Sequence, residues 1–578
     1  MIQWILVGFL IAVYPLVGMA REESEVLCPT IVLSHRLKNG LSDVEKKLVC
    51  GDTRSIDASN EGWRTIPPPQ AQFLLKNFLQ DRGFLHPKFT QSADGRINYV
   101  ELGDVTRVTR LSVHGGPEEL SIQRKRKIVG EPLTPAILEV IQKWVVHRLQ
   151  TFGYACPKVT TAANPVTGEV EVYVNAGERQ SMVAIEEDPI PGLIPGVLRR
   201  YDAFRLGYPY NADLLSITEN RVMGISLVQD IHFTTKCEAD GVHVTQAIVA
   251  GKPSFLSVGA GINTEGLIIG KASWRNSRLG LLASWTDLTL MASAQEQRLG
   301  MTVNWYFLPY PTRYFFRPLL EVRHQNETAF ETATVRAQFA PSTTWDNQSL
   351  GATLLIGPNL ELLRTFRGSG PTDSHFLSLE GRLDVKTHDF EYYQTNPQSG
   401  FDATLISNIS DVNLYSQVSV QRYRLQAQGL WNFNNYDPPF LIFGLRMGAA
   451  TLLTDERPGL GSRLPANYTE FLGGSVDLRG FARKELPKDG LGALTSFYTD
   501  LEVRMGRELP LGLEPFAFID VGILGSAPLT FDDPIYWSPG FGIRWSSSIG
   551  VFRTTLAHGF AQNMSGHYQF FLSYGEEF

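Results

Sequence analysis

Long apolar runs are almost missing from this chain. After the first 20 residues nothing approaches the eighteen or so unbroken apolar positions that a transmembrane helix needs, so no helical span is expected there. Charge is also sparse, at 19% of residues, and the net value of −7 argues against a nucleic-acid partner, which requires a concentrated basic face. The one basic cluster, Arg124 to Lys127, reads as a solvated strand or loop segment. Cysteine is rarer still. The four residues Cys28, Cys50, Cys156 and Cys237 lie in the first half and form no C-x-x-C pair, which leaves thioredoxin-like and zinc readings unsupported. No G-x-S-x-G is present, and His114, His558 and His567 show no partnering pattern, so a hydrolase lacks its nucleophile–base set. Gly259-Ala260-Gly261 lacks the further glycine and the helix of a dinucleotide site. Neither metal nor cofactor is expected.

What the chain does have suits strands and tight turns: 43% apolar residues, 11% aromatics and 52 glycines. At 578 residues it is too long for one domain. Trp4 to Val17 is apolar and ends in Gly18-Met19-Ala20 before Arg21-Glu22-Glu23, a small-residue boundary that fits a signal peptide over 1–20. No Lys or Arg precedes the apolar run, so a retained anchor is the competing reading. Export would place the cysteines in an oxidising compartment, where two disulfides are plausible. Cys28 with Cys50 is the local choice, leaving Cys156 with Cys237, and the pairing stays open at this stage.

Up to about residue 253, extended and helical signals alternate in a repeated order. Ile137, Val140, Ile141, Trp144, Val145 and Leu149 fall near one face at helical spacing, after a start at Thr134-Pro135 and before Gly153. The alternating strand Glu169 to Val174 follows. An earlier unit has Pro68 to Arg82 as its long helix, then strands around a turn at Gly95. A later one has Asn211 to Arg221 helical and Gly241 to Val244 extended. Three β-α-α-β-β units are therefore expected, over 21–106, 107–180 and 181–253.

From residue 254 to 578 the pattern is almost pure two-residue alternation, as in Phe541-Gly542-Ile543-Arg544-Trp545-Ser546. About sixteen candidate strands of roughly ten residues, rich in aromatics near their ends, suit a membrane β-barrel with lipid outside and a wet lumen inside. One connection, about 453–491, is far longer than a hairpin needs and contains Leu478-Arg479-Gly480-Phe481. Two strands on, alternation puts Phe516, Phe518 and Asp520 on the lumen side, and the strand before it does the same for Asp500, Glu502 and Arg504. An arginine against carboxylates and aromatic faces would pin the loop inside the barrel.

In this order of elements the chain resembles the BamA/TamA superfamily of outer-membrane assembly and secretion factors. Leu478-Arg479-Gly480-Phe481 is similar to the family's sixth-loop V/I-R-G-F/Y motif, and Phe518-Ile519-Asp520-Val521-Gly522 to its F-x-D-x-G motif. Leu478 departs from the usual β-branched residue, and Glu576 stands where the terminal strand normally carries an aromatic. Three N-terminal units, rather than BamA's five or the two of two-partner secretion transporters, bring it nearest the TamA branch. The resemblance implies a function without catalysis. Periplasmic POTRA domains would hold unfolded outer-membrane or autotransporter clients, a TamB-like periplasm-spanning partner being possible in that branch. Arg479 would lock to Asp520, with Glu502, Phe518 and Gly522 as lumen partners. Phe255, Gly575 and the terminal Phe578 would belong to a seam that opens toward the outer-membrane bilayer. The alternatives are a transporter for one dedicated exoprotein and a passive porin.

Overall fold

The computed structural model describes residues 24–38, 40–51, 66–95, 97–265, 267–308, 313–393, 396–459, 461–506, 509–547, 550–562 and 567–574. The expected signal peptide, Gly575, Glu576 and Phe578 lie outside the described residues. Two compact units are present. The first holds most of the chain up to Asn175; the second holds Ala176 onward together with the segments 123–126 and 147–157.

In the first unit, strands β1 (Glu25–Cys28), β2 (Ile31–Leu33), β3 (Lys88–Gln91) and β4 (Asn98–Glu101) form a sheet in the order β1-β2-β4-β3. Helices α1 (Asp43–Cys50) and α2 (Pro68–Gln80) accompany it, and Ile31, Leu33, Leu75, Leu79 and Val100 make a shared core. Proline at the start of α2 forfeits no hydrogen bond, because first-turn amides have no partner inside a helix. A disulfide joins Cys28 to Cys50.

Ser42 and Glu45 close a capping box on α1: Glu45 N donates to Ser42 Oγ at 3.3 Å and Ser42 N to Glu45 Oε2 at 2.6 Å. Arg82, past the end of α2, reaches back to the same carboxylate at 3.1 and 2.9 Å. The Arg82 hydrogen bond outweighs burial and holds the Glu45 carboxyl at about 2. A depressed carboxyl stabilises the fold above its ordinary value and loses that contribution as pH falls toward 2. Glu45→Gln should therefore lower the stability of this region at neutral pH by about 1–3 kcal/mol. It should also flatten the acid dependence, read as protease cleavage of α1 between pH 5 and pH 3.

The second sheet has β5 (Arg110–Gly115), β6 (Lys158–Ala163) and β7 (Glu169–Asn175) in the order β5-β7-β6, with β5 and β7 parallel, and helix α3 (Pro135–Thr151). Thr134 Oγ1 accepts from Ile137 N at 3.2 Å to start α3, as the sequence anticipates. Ile141, Trp144, Val145 and Leu149 are buried, but Val140 is 45% exposed, so the apolar face is narrower than its spacing suggests.

In the second unit, β8 (Met182–Glu187), β9 (Val228–Glu238) and β10 (Gly241–Ala250) make the third sheet, with helix α4 (Ala212–Gly224). Its Cys237 is bonded to Cys156. The expected β-α-α-β-β order needs correction here. Between β8 and α4 lies only a 3₁₀ segment, Val197–Tyr201, because Pro189, Pro191, Pro195, Gly192 and Gly196 forbid a longer helix. The second sheet likewise carries a 3₁₀ turn, Ile122–Arg124, in that place. The basic run beside it is solvated only in part: Lys127 is exposed, but Lys125 Nζ lies 3.1 Å from Asp437 and Arg126 sits over the ring of Phe440.

The rest of the second unit is a closed antiparallel barrel of sixteen strands, β11 (Ser254–Asn263) to β26 (Tyr568–Tyr574) in unbroken sequence order. Alternation sets its two faces: Phe541, Ile543 and Trp545 point outward and are exposed, while Arg544 between them is buried. An exposed belt of Leu, Val, Ile, Phe and Trp is what a lipid-facing wall requires. A short helix α5 (His388–Tyr392) meets α4, and Arg221 of α4 donates to Glu391 at 2.7 Å and to Asp346 at 2.8 Å. Among the described residues no helix is long and apolar enough to cross a membrane.

Candidate functional site: the sixth-loop lock and the barrel seam

The long connection runs from β21 (Leu441–Leu453) to β22 (Thr495–Met505) and turns into the barrel rather than away from it. Its Leu472, Leu478, Phe481 and Leu486 pack against Tyr498, Leu524 and Tyr536 of the wall. Loops otherwise run over surfaces, where water satisfies their backbone. This one is satisfied internally. Asp477 Oδ1 accepts from Gly473 N at 2.9 Å and from Leu478 N at 2.6 Å, fixing the turn that presents Arg479.

On β22 and β23 (Leu513–Gly525) the register sets Asp500 opposite Asp520 and Glu502 opposite Phe518, all facing inward. Two carboxylates directly opposed across a strand pair repel each other. The Arg479 guanidinium removes that conflict. Its backbone N donates to Asp520 at 2.9 Å, Nε to both Asp520 oxygens at 3.2 and 3.1 Å, and Nη2 to Oδ1 at 2.6 Å. Nη1 reaches Glu502 at 3.0 Å, Nη2 also binds Asp500, and the guanidinium carbon lies 3.3 Å from the centre of the Phe518 ring. Arg479 is 2% exposed and Asp520 fully buried, so this is a paired and hydrogen-bonded buried ion cluster. Arg504 and Arg553 complete it by donating to Glu502 at 3.1 and 2.7 Å.

The glycines supply clearance. A Cβ on Gly522 would lie 2.7 Å from Leu478 and 3.0 Å from Leu472, so only glycine lets the loop seat there. A Cβ on Gly480 would meet the backbone of Gly559 at 2.5 Å and Ser538 Oγ at 2.6 Å. Phe481 is buried beside them, edge-on to Tyr536 at 5.7 Å. Sequence reasoning missed Gly540 and Gly542 on β24 (Tyr536–Ser547), against whose faces Phe518 and Phe516 lie. A signal existed, since both glycines fall at inward positions of an alternating strand.

The second element of the site is where the barrel closes. Along its whole length β11 pairs with β12 (Leu267–Leu279), from Ser254↔Asn276 to Asn263↔Leu267. Toward β26, the described residues pair only at Ile262↔Tyr574 and Asn263↔Ser573, extended by Thr264 N donating to Leu572 O at 3.1 Å. No described residue pairs with Ser254–Gly261 on that side. Phe255, half-exposed, lies in this stretch opposite Arg275 of β12. The disulfide cysteines all precede the barrel in the chain.

A family model described as the Omp85 superfamily domain matches residues 274–578, more than half of the chain. No curated protein matches it. Among solved structures it is similar to BamA from Haemophilus ducreyi lacking POTRA domains 1-3, at 14% identity over 81% of this chain and 99% of that one, with a TM-score of 0.48. CdiB from Escherichia coli is similar at 13% identity over 90% and 99%, TM-score 0.45. CdiB from Acinetobacter baumannii gives 12% identity over 81% and 89%, TM-score 0.44. With its closed sixteen-strand barrel preceded by α+β units, the chain belongs to the Omp85 superfamily, whose members serve outer-membrane protein assembly or secretion.

Proposed function

We propose that this protein sits in the outer membrane with its N-terminal units in the periplasm, and inserts or secretes unfolded client polypeptides without catalysis. The observation that carries the reading is the seam. Breaking a sheet inside lipid exposes unpaired amides and carbonyls, each costing several kcal/mol. Among the described residues this closure has two register pairs, fewer than any other junction of the barrel, and in this reading it is the junction that opens. The freed edge of β11 is a template on which a client strand can form backbone hydrogen bonds. The N-terminal sheets end in edge strands of their own, β1 and β3, β5 and β6, β8 and β9, which suit transient capture of extended chains or of a TamB-like periplasm-spanning partner.

In this reading the Arg479 cluster holds the sixth loop on the wall formed by β22 and β23, and so preserves the lumen while the seam moves. Depletion of the protein should remove a subset of barrel or autotransporter proteins from the outer membrane, measured by quantitative proteomics of membrane and surface fractions. A single exoprotein accumulating inside the cell would replace this reading with the dedicated-transporter one. A large, steady single-channel conductance with an unaltered proteome would favour a porin.

A further inference from the structure

We propose that Glu265 is the positioning residue through which the sixth loop holds the seam closed; this rests on the gate reading above. Glu265 follows directly on Thr264, at the turn between β11 and β12. Its side chain points to the sixth loop, 210 residues away in sequence, where Ser475 N donates to Oε1 at 3.0 Å and Ser475 Oγ to Oε2 at 2.6 Å. The loop is shaped for this contact: Gly474 has φ +123°, and a Cβ there would lie 2.7 Å from Glu265 Oε1.

The placement decides what the contact does. The described seam hydrogen bonds fall at Ile262, Asn263 and Thr264, the three residues before Glu265. Thr264 Oγ1 also accepts from Leu572 N at 3.3 Å. Whatever holds Glu265 therefore holds the end of β11 at which its described pairing with β26 falls. The loop is a firm anchor, because Arg479, four residues past Ser475, is fixed to Asp520 and Glu502. Force or strain at the seam then passes through Glu265 and Ser475 to the wall formed by β22 and β23. Hydrogen bonds to an ionised carboxylate are worth roughly twice neutral ones, which makes two of them a substantial clamp on this end of the junction.

The test is hydrogen–deuterium exchange of the full chain in detergent. Glu265→Ala should raise exchange about tenfold or more in peptides spanning Gly261–Glu265 and Leu572–Tyr574 through loss of two charge-assisted bonds. Peptides of β22 and β23 should be unchanged. Ser475→Ala keeps the backbone donor and should give a smaller rise at the same peptides; it carries the test if Glu265→Ala does not fold. Glu265→Gln can still accept from Ser475 N and donate to Ser475 Oγ but loses the charge, so its rise should fall between wild type and Glu265→Ala. The proposal is overturned by unchanged seam exchange, by an equal rise across β22 and β23, or by Glu265→Gln opening as far as Glu265→Ala. Client insertion is scored separately: a loosened seam with normal insertion leaves the clamp standing and removes the gate reading, whereas an unloosened seam removes the clamp whatever insertion does.

Discussion

Replacing Arg479 by alanine is expected to destabilise the barrel by about 3–5 kcal/mol, the usual consequence of removing one partner from a buried, hydrogen-bonded ion cluster. The reason is specific to this register. Asp500 and Asp520 stand opposite each other on adjacent strands, and without the guanidinium between them two buried carboxylates face one another. Arg504 and Arg553 donate to Glu502. Arg479→Lys should recover little, because one ammonium cannot reproduce a planar fork that serves Asp520 through Nε and Nη2 and Glu502 through Nη1. The measurement is the denaturant or heat dose at which the folded form is lost on unheated gels. A double-mutant cycle of Arg479→Ala with Asp520→Ala would show that the loss belongs to this pair. An Arg479→Ala barrel as stable as wild type would mean that the cluster is not what fixes the loop.

Much of this site is legible from sequence because a strand has a period of two. Once Ala517, Ile519 and Val521 are taken as the outer face, Phe516, Phe518 and Asp520 must share the inner one, and the same step places Asp500, Glu502 and Arg504. What one strand cannot reveal is its register against the next. The opposition of Asp500 to Asp520, the reach of Arg553 from β25 (Gly550–His558) to Glu502, and the grip of Ser475 on Glu265 all depend on pairing between distant segments. Glycines at inward positions, such as Gly540 and Gly542, signal clearance but not whose ring fills it. In the N-terminal sheets the helical periodicity of α2 to α4 is readable, whereas the preceding helices of the second and third sheets shrink to 3₁₀ turns under a local density of proline and glycine. Arg124 to Lys127 read as solvated because the turn that meets it lies more than 300 residues away.

The largest functional effect is expected from fixing the seam itself. Residues directly opposed in antiparallel strands have Cα atoms about 4.5–5.5 Å apart, within the span a disulfide accepts. Asn263 and Ser573 are such a pair. In the doubly substituted Asn263→Cys, Ser573→Cys protein the bond would leave every other barrel junction intact while keeping this end of β11 fixed to β26. The native disulfides Cys28–Cys50 and Cys156–Cys237 require a wild-type control carried through the same oxidation and reduction. The decisive measurement is client insertion by this variant, oxidised and then reduced, in reconstituted vesicles. The account predicts insertion at background when the bond is formed and recovery on reduction, with the barrel folded in both states. Undiminished insertion with the bond shown to be in place would contradict it.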